Sequence, residues 1–311
     1  MSNANPLVSI ILPVYNGDQY ISIAINSVIN QSYTNWELLI VDDGSTDNSA
    51  SVCDSYSEKD TRIRTFHRPN GGVNSARAKG VDNARGIFLT FLDADDALLS
   101  DALDYMVGHF QDGIDLVAHG RFNEQVGREK YIKTLWEGGT GLVLWGKMFR
   151  TSVFKQIDYA LEQRMVMGED LLLNSVYALD INTAYIFSHE IYQVNRDNET
   201  SVTRTFKHNW EYEKYYFSQV EDRFLSKCKN WDSYEDIHLL VNKSWLNALK
   251  YVMLDGGSIC YNDPAFKAVR SFFKGKKGEL GPSERMIFII KNARVYRLIL
   301  KIGMKMRNRE R

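Results

Sequence analysis

The sequence predicts an α/β fold, with a doubly wound, mainly parallel sheet followed by a C-terminal helical extension. Between Val8 and Phe122, short strand-like runs alternate with stretches of helical periodicity, the pattern of a parallel sheet covered by helices on both faces. The runs are almost continuously apolar rather than alternating, as expected for strands buried on both sides. Beyond Phe206 helical periodicity dominates.

The predicted elements follow one another at regular intervals. The sheet is expected to contain strands at residues 8–14, 36–41, 63–66, 87–92 and 115–118. The helices between them are expected at residues 19–30, 47–59, 72–84 and 101–111. The second of these helices begins with residues that favour helix caps, Ser45, Thr46 and Asp47. After residue 123 the periodicity is looser. It predicts one helix at 170–179, followed by strands at 185–188 and 192–195.

The composition is that of a globular protein. With 311 residues, 44% hydrophobic and 25% charged, the chain is long enough for two domains and unlike disordered or collagen-like chains. No apolar run approaches the roughly 18 residues that a membrane-spanning helix needs. Cys53, Cys228 and Cys260 are too few and too widely spaced for a disulfide framework or a zinc motif, and no signal peptide pattern is visible. We therefore expect a chain of the reducing cytoplasm.

Acidic residues follow two of the predicted strands. The second strand continues into the turn 42–47, in which Asp43 is followed by Gly44, Ser45, Thr46 and Asp47, and the fourth strand continues into Asp93, Asp95 and Asp96. The carboxyl ends of parallel strands meet at one edge, where open α/β sheets bind ligands. Clustered carboxylates need a cation, and a set without His or Cys favours Mg²⁺ or Mn²⁺ over zinc. The alternative is that these residues only form turns and helix caps.

Four segments, read in order, resemble the family 2 glycosyltransferases with the GT-A fold. They are Val-Ser-Ile-Ile-Leu-Pro-Val-Tyr-Asn at 8–16, Trp-Glu-Leu-Leu-Ile-Val-Asp-Asp-Gly-Ser-Thr-Asp at 36–47, Asn-Gly-Gly-Val-Asn-Ser-Ala-Arg at 70–77 and Phe-Leu-Asp-Ala-Asp-Asp at 91–96. The resemblance covers residues 7 to 200. It implies a metal-dependent inverting enzyme that moves a sugar from a nucleotide sugar, a UDP-sugar, to a saccharide or glycolipid hydroxyl in bacterial surface polysaccharide synthesis.

The resemblance also implies which residues bind the donor. Pro13, Tyr15 and Asp43 match the positions that hold the nucleotide base. Asp93 matches the aspartate near the ribose, and Asp95 matches the ligand of the Mn²⁺ or Mg²⁺ that bridges the diphosphate.

One further donor-binding position departs from the family pattern. Arg77 resembles the arginine of an Ala-Arg-Asn stretch, but Ala78 stands where the family usually has Asn. A side-chain contact from that position is therefore lost, or Lys79 supplies it.

The catalytic and acceptor residues are implied by two later segments. Met167-Gly-Glu-Asp170 resembles the family's Glu-Asp motif, which makes Asp170 the catalytic base and Glu169 its orienting or acceptor-binding neighbour. Trp145-Gly-Lys-Met-Phe149 resembles a segment beside the acceptor, so Trp145 is expected to face the sugar and Lys147 to make a polar contact. Without the resemblance, Asp170 reads as a helix-start acid, Trp145 as a core residue and Lys147 as a solvated lysine.

The domain organisation follows from the same resemblance. We expect a GT-A glycosyltransferase domain at 6–205, with a nucleotide-sugar half at 6–115 and an acceptor half at 116–205. A helical region with a basic amphipathic tail is expected at 206–311.

The tail differs from the rest of the chain in charge. Residues 267–311 contain 14 Lys and Arg against 3 Asp and Glu, while the whole chain has a net charge of −1. A helix is predicted at 284–306, with an apolar row, Ile289, Ala293, Tyr296 and Leu300, beside a basic row, Arg294, Arg297, Lys301 and Lys305. Three surfaces fit it: an anionic membrane on the inner face of the cell, the chain's own acidic body, or a second subunit in a homodimer. Nucleic acid is not expected, because the remainder of the chain is acidic.

The same residues bear on three other functions. A nucleotidyltransferase that makes nucleotide sugars would have a glycine-rich, basic loop after the first strand, and Tyr15-Asn-Gly-Asp18 does not provide one. A non-catalytic sugar-nucleotide binding protein would not need the full set of aspartates. A dinucleotide oxidoreductase would have Gly-x-Gly-x-x-Gly after the first strand, which is absent.

Overall fold

The structure is a computed structural model that describes residues 5–110, 113–137, 142–196, 198, 202–290, 294–296 and 298–299. The chain divides into two compact units, with the boundary between Arg204 and Thr205. Each unit has its own hydrophobic core. The two units are described separately.

The first unit is a mixed α/β structure. Its strands are β1 Val8–Val14, β2 Trp36–Asp42, β3 Ile63–His67, β4 Phe88–Phe91, β5 Ala97–Leu98, β6 Leu116–His119, β7 Glu124–Gly127, β8 Lys147–Arg150, β9 Thr183–Phe187 and β10 Tyr192–Gln193. Its helices are α1 Ile21–Ile29, α2 Ser49–Ser57, α3 Val73–Asn83, α4 Ala102–Gly108, α5 Arg128–Trp136, α6 Thr151–Phe154 and α7 Glu169–Ala178. A short helix, α8 Val202–Thr205, spans the unit boundary.

Eight of these strands form one sheet in the order β3-β2-β1-β4-β8-β6-β9-β7. The pairs among β1, β2, β3 and β4 are parallel, as is the pair β6 and β9. β8 runs antiparallel to both of its neighbours, and β7 runs antiparallel to β9. A separate two-stranded ladder joins β5 to β10. The predicted fold class, a doubly wound and mainly parallel sheet, is confirmed.

The sheet departs from the prediction at its centre. Residues 115–118 were predicted as the parallel strand after that at 87–92, and no strand was predicted at Lys147–Arg150. In the structure β8 separates β4 from β6 and pairs with both. The predicted strand at 192–195 is shorter, and only Tyr192 and Gln193 pair with β5.

The core of the first unit explains why β1 is so apolar. Every residue of β1 is buried, because helices cover both faces of the strand. One face packs with the buried side of α1, and α3 lies on the other. A Cβ atom added to Gly80 of α3 would lie 2.5 Å from Ile11 Cγ2, so this glycine allows the close approach of helix and strand.

The second unit is helical in the residues described. It contains α9 Trp210–Val220, α10 Ser226–Cys228, α11 Tyr234–Leu254, α12 Pro264–Phe272 and α13 Pro282–Ile287, with a π-helical turn at Glu221–Leu225 and a 3₁₀ turn at Lys277–Glu279. Trp210, Tyr216 and Phe217 of α9 are buried. Over the described ranges, no helix combines the length and apolar character needed to cross a bilayer.

The prediction of one continuous helix at 284–306 is wrong. α13 ends at Ile287, and Ile290 is not helical. The Tyr296 ring is buried, and its hydroxyl donates a hydrogen bond to the Ser283 carbonyl over 3.0 Å, so the chain folds back on α13. Ile289, which was predicted on the same face as Tyr296, is 76% exposed. The other predicted apolar and basic positions, Arg294 excepted, lie outside the described residues: Ala293, Arg297, Leu300, Lys301 and Lys305.

Candidate functional site

The carboxyl ends of three parallel strands meet where the strand order reverses. β1 lies between β2 and β4, with β3 beyond β2 on one side. A crevice at such a reversal is the usual ligand site of an open α/β sheet. The chain segments that leave these three strands carry most of the predicted site residues.

Asp43 comes directly after β2, and its backbone N–H donates to the Val14 carbonyl at the end of β1 over 2.9 Å. Its buried carboxylate accepts hydrogen bonds from the backbone N–H groups of Gly71 at 3.0 Å and Gly72 at 2.7 Å. Arg68 Nη1 lies 3.2 Å from the same carboxylate. Asp43 therefore ties the end of β2 to the glycine loop that precedes α3.

The other two residues predicted at the base lie on β1 and just beyond it. Pro13 is buried and opposite Val41 in the ladder. Tyr15 is 53% exposed, which leaves an aromatic face available to a planar ligand. The next residue, Asn16, has a φ of 51°, and its side-chain oxygen accepts a hydrogen bond from the Thr46 N–H over 2.8 Å.

Arg77 links three carboxylates that are far apart in the sequence. It belongs to α3 and is buried. Its Nη1 lies 2.8 Å from Asp170 Oδ1 and 3.4 Å from Glu169 Oε1, and its Nη2 lies 3.3 Å from Asp93 Oδ1. The structure thus brings four predicted residues into direct contact around one guanidinium.

The charges in this cluster perturb one another. Burial acts to lower the pKa of Arg77, but the carboxylates of Asp170, Asp93 and Glu169 outweigh it and raise that pKa above its ordinary value. Burial raises the pKa of Glu169 to about 7, with the Asp170 charge adding to the effect and Arg77 opposing it. Burial also raises the pKa of Asp93, although Arg77 opposes this shift. Carboxyl groups with raised pKa values are typical of catalytic sites.

Asp170 is held in the first turn of α7. Gly168 precedes the helix with a φ of 82°, a conformation that side chains disfavour. Asp170 Oδ2 accepts a hydrogen bond from the backbone N–H of Leu144 over 3.0 Å, while Oδ1 faces Arg77. Both oxygens are therefore oriented, and about a sixth of the side chain, 17%, is exposed.

The acidic turn after β4 is held by a segment that lies a hundred residues later. The backbone N–H of Asp93 donates to the Tyr192 hydroxyl over 3.1 Å. Asp96 is buried and accepts a hydrogen bond from the Asn195 N–H over 2.7 Å, and burial raises its pKa to about 6. Asn198 Nδ2 donates to Asp95 Oδ2 over 2.8 Å.

The two predicted acceptor residues of the 145–149 segment have different environments. Trp145 is partly buried and stacks on Tyr192, with ring centroids 4.4 Å apart and an angle of 14° between the rings. Through Tyr192 it is connected to the backbone of Asp93. Lys147 begins β8, is 1% exposed, and donates to the Val143 carbonyl.

The acidic turn has the donor chemistry that suits a divalent cation. Its side chains offer carboxylate oxygens, the ligands that Mg²⁺ and Mn²⁺ prefer. Burial is the main cause that raises the pKa of Asp93 and Asp96, and the charges of neighbouring carboxylates add to the shift. A cation would offset this repulsion. Within the described residues, no group of three or more His, Cys, Asp or Glu side chains is placed to hold a metal ion.

Three residues of this site were not among the predicted ones. Tyr192, Asn195 and Asn198 contact the acidic turn, but they follow it by about a hundred residues, and no local pattern marks them. The predicted strand at 192–195, which contains Tyr192 and Asn195, was the only available signal. His189 pairs with Asp101, with 2.8 Å between Nε2 and Oδ2.

The chain is similar to known glycosyltransferases. The chain is 27% identical over 218 residues to the uncharacterized glycosyltransferase EpsJ of Bacillus subtilis (strain 168), covering 64% of this chain and 63% of that protein. It is 41% identical over 105 residues to the putative teichuronic acid biosynthesis glycosyltransferase TuaG of the same organism, covering 33% of this chain and 42% of that protein. The chain thus spans less than two thirds of the length of these relatives.

A solved structure shares the fold. TarS 1–349 of S. aureus, in complex with UDP-GlcNAc, matches with a TM-score of 0.64 at 18% identity, over 96% of this chain and 91% of that chain. At this identity the likeness establishes the GT-A type fold alone. The family described as Glycosyl transferase family 2 matches residues 9–168, a span that includes β1, β2, Arg77 and the acidic turn. Because this match covers more than half of the sequence, the chain belongs to glycosyl transferase family 2.

Proposed function

We propose that the chain is a metal-dependent inverting glycosyltransferase that moves a sugar from a UDP-sugar to a hydroxyl of a saccharide or glycolipid acceptor. The observation that carries the proposal is the Arg77 cluster. One guanidinium joins Asp93, which resembles a donor-binding position of the family, to Asp170 and Glu169, which resemble its catalytic motif and directly follow the matched span 9–168. A reaction between two substrates requires that donor and acceptor groups be held together in this way.

The donor half of the proposal rests on the strand ends. Asp43, Pro13 and Tyr15 would hold the base, with the Tyr15 ring against its face and Asp43 at its edge. Asp93 would contact the ribose. The complex of TarS with UDP-GlcNAc supports a UDP-sugar as the donor class.

The metal half of the proposal rests on the acidic turn. Asp95 would hold Mn²⁺ or Mg²⁺ together with the diphosphate oxygens. When bound, such an ion neutralises the charge that develops on the departing diphosphate. Asn198, which donates to Asp95 Oδ2, would fix the orientation of this carboxylate.

Asp170 would act as the base. As the acceptor oxygen attacks the anomeric carbon, its proton passes to the Asp170 carboxylate, the bond between that carbon and the diphosphate breaks, and the configuration inverts. Leu144 N–H and Arg77 hold the two carboxylate oxygens, which leaves the remaining lone pairs for the incoming hydroxyl. Glu169, with its raised pKa, would stay largely protonated below neutral pH and donate a hydrogen bond to the acceptor.

On the acceptor side the proposal keeps Trp145 as a sugar-facing ring. Lys147 was predicted to contact the acceptor, but its ammonium group is buried and donates to Val143. The relationship to TuaG supports an acceptor in bacterial surface polysaccharide synthesis.

The test is a screen of nucleotide sugars with the purified chain and Mn²⁺. Calorimetric titrations with UDP, GDP, CDP and dTDP identify the base, and release of the nucleoside diphosphate in the presence of saccharide and lipid-linked acceptors identifies turnover. We expect UDP to bind most tightly, and we expect chelation of the metal to weaken its binding. Equal or absent binding of all four nucleotides would contradict the proposal.

We also propose that the C-terminal segment contacts an anionic membrane on the inner face of the cell. Residues 267–311 hold 14 basic against 3 acidic residues, and Ile289 and Leu298 are exposed. Removal of residues 297–311 keeps Tyr296, which is part of the core, and should abolish sedimentation with phosphatidylglycerol vesicles. Unchanged sedimentation rejects the membrane contact, and a change of oligomeric state instead would indicate a second copy of the chain as the partner.

A further inference from the structure

Lys147 occupies an unusual position for a lysine. It lies in β8, the strand between β4 and β6, and it is among the largest fully buried side chains. Burying an ammonium group is costly unless the group is paired. Desolvation lowers the pKa of Lys147 to about 7, while the charge of Asp170 on α7 opposes the shift. His119 lies at the end of β6. Burial is the main cause that lowers its pKa, and the charge of Lys147 adds to the effect.

The partner of Lys147 is a single peptide group. Lys147 Nζ donates to the Val143 carbonyl oxygen. The same oxygen accepts a hydrogen bond from Asn174 Nδ2 over 3.1 Å, and Asn174 Nδ2 also lies 2.9 Å from the Asp170 carbonyl oxygen. Asn174 is completely buried in α7. Two side chains from different elements therefore hold one carbonyl.

The other end of that peptide group holds the proposed base. The N–H of Leu144 belongs to the same peptide as the Val143 carbonyl, and it donates to Asp170 Oδ2 over 3.0 Å. In a trans peptide the C=O and N–H point in opposite directions, so the peptide dipole runs from the ammonium group to the carboxylate. Hydrogen bonds in such a chain polarise and strengthen one another.

We propose that Lys147 is a positioning residue for the transfer reaction: by holding the Val143 carbonyl, it orients the Val143–Leu144 peptide so that the Leu144 N–H fixes the Asp170 carboxylate. The catalytic part of this inference rests on the proposed function. Lys147 itself does not touch a substrate. Its effect on the reaction passes through one peptide bond.

The test compares Lys147→Met with the wild type in the full chain. We expect kcat to fall by about tenfold or more, because small displacements of a base are costly. The KM for the UDP-sugar should change by less than about threefold, because the donor contacts are not altered. Amide hydrogen exchange at Leu144 should accelerate, and this readout needs no turnover.

Lys155→Met is the matched control. Lys155 is exposed, and its ammonium group also donates to a backbone carbonyl, that of Ala84 at 2.9 Å. This variant should keep the wild-type kcat, KM and Leu144 exchange. If Lys147→Met does not fold, Asn174→Ala releases the same carbonyl from the other side and should also accelerate Leu144 exchange.

The outcomes separate this inference from the proposed function. A wild type that turns over no nucleotide sugar contradicts the proposed function, while Leu144 exchange still decides whether Lys147 holds the peptide. A wild type that turns over, together with a Lys147→Met variant that keeps kcat and Leu144 exchange, overturns the inference. Unchanged Leu144 exchange in folded Lys147→Met overturns it in either case.

Discussion

Arg77 Nη1 lies 2.8 Å from Asp170 Oδ1, although 93 residues separate the two in the sequence. This contact joins α3, which follows the glycine loop, to the start of α7. Because Arg77 also contacts Asp93, a residue of the donor side and a residue of the catalytic motif share one cation. The stability and the chemistry of the site both depend on it.

Replacing Arg77 should destabilise the fold. Arg77→Met leaves three carboxylates close together without a counter-charge, and breaking a buried ion pair from one side costs about 3–5 kcal/mol. Urea unfolding measures the loss. Adding Asp170→Asn to Arg77→Met should recover part of it, because one of the repelling charges is removed. The control is Arg164→Met, since Arg164 pairs with Glu162 at the surface and should matter by less than about 1 kcal/mol. Equal losses in the two single variants would speak against the cluster.

The metal proposal predicts a specific defect in Asp95→Asn. Mn²⁺ should tighten UDP binding to the wild type, because the cation would bind both the Asp95 carboxylate and the negatively charged oxygens of the diphosphate. In Asp95→Asn the Mn²⁺ effect should disappear, while residual UDP binding through the base remains. Calorimetry with and without Mn²⁺ measures the effect of the ion and the residual UDP affinity. Asp104→Asn, on the exposed side of α4, should behave as the wild type. An undiminished Mn²⁺ effect in Asp95→Asn places the ion elsewhere.

The base-binding proposal predicts that Asp43→Asn discriminates between ligands. The amide keeps an oxygen for the N–H groups of Gly71 and Gly72 but loses the charge and one acceptor. UDP should bind more weakly, whereas inorganic diphosphate with Mn²⁺ should bind as to the wild type. Competition titrations compare the two. Equal weakening of both ligands would mean that Asp43 acts through the loop alone.

Glu169 predicts a pH dependence of stability. Its pKa is raised to about 7 in the folded chain from an ordinary value of 4.5, so the folded state binds the proton more tightly than the unfolded state. Stability contributed by this group is therefore present below pH 4.5 and is lost as pH rises towards 7. Glu169→Gln should raise the melting temperature at pH 8, by roughly 2–4 °C for each kcal/mol recovered. The difference from the wild type should vanish near pH 4.5. A variant that is less stable than the wild type at pH 8 would show that the ion pair with Arg77 outweighs burial.

Local patterns predicted the parts of the site that lie at strand ends. Asp43 and Asp93 follow apolar runs that became β2 and β4, so their placement at one edge follows from chain direction alone. Contacts between distant segments left no such signal. The Tyr192 hydroxyl bonds to the Asp93 N–H across 99 residues.

Two further differences have physical causes. Lys147 reads as a solvated residue from its type, yet its strand inserts antiparallel between two others, which buries it. The tail has helical periodicity, but α13 ends at Ile287, and Tyr296 packs back with its hydroxyl on the Ser283 carbonyl. In both cases tertiary contacts outweigh the local preference.

The most direct test of the account is the comparison of Asp170→Asn with the wild type. The amide retains the shape of the carboxylate and an oxygen for the Leu144 N–H, but it cannot accept the acceptor's proton. Calorimetry with the UDP-sugar and Mn²⁺ should give a Kd within about threefold of the wild type, and sugar transfer should fall by about a hundredfold or more. Asp101→Asn, in the exposed pair with His189, should leave both quantities unchanged. Full turnover in Asp170→Asn would contradict the assignment of the base.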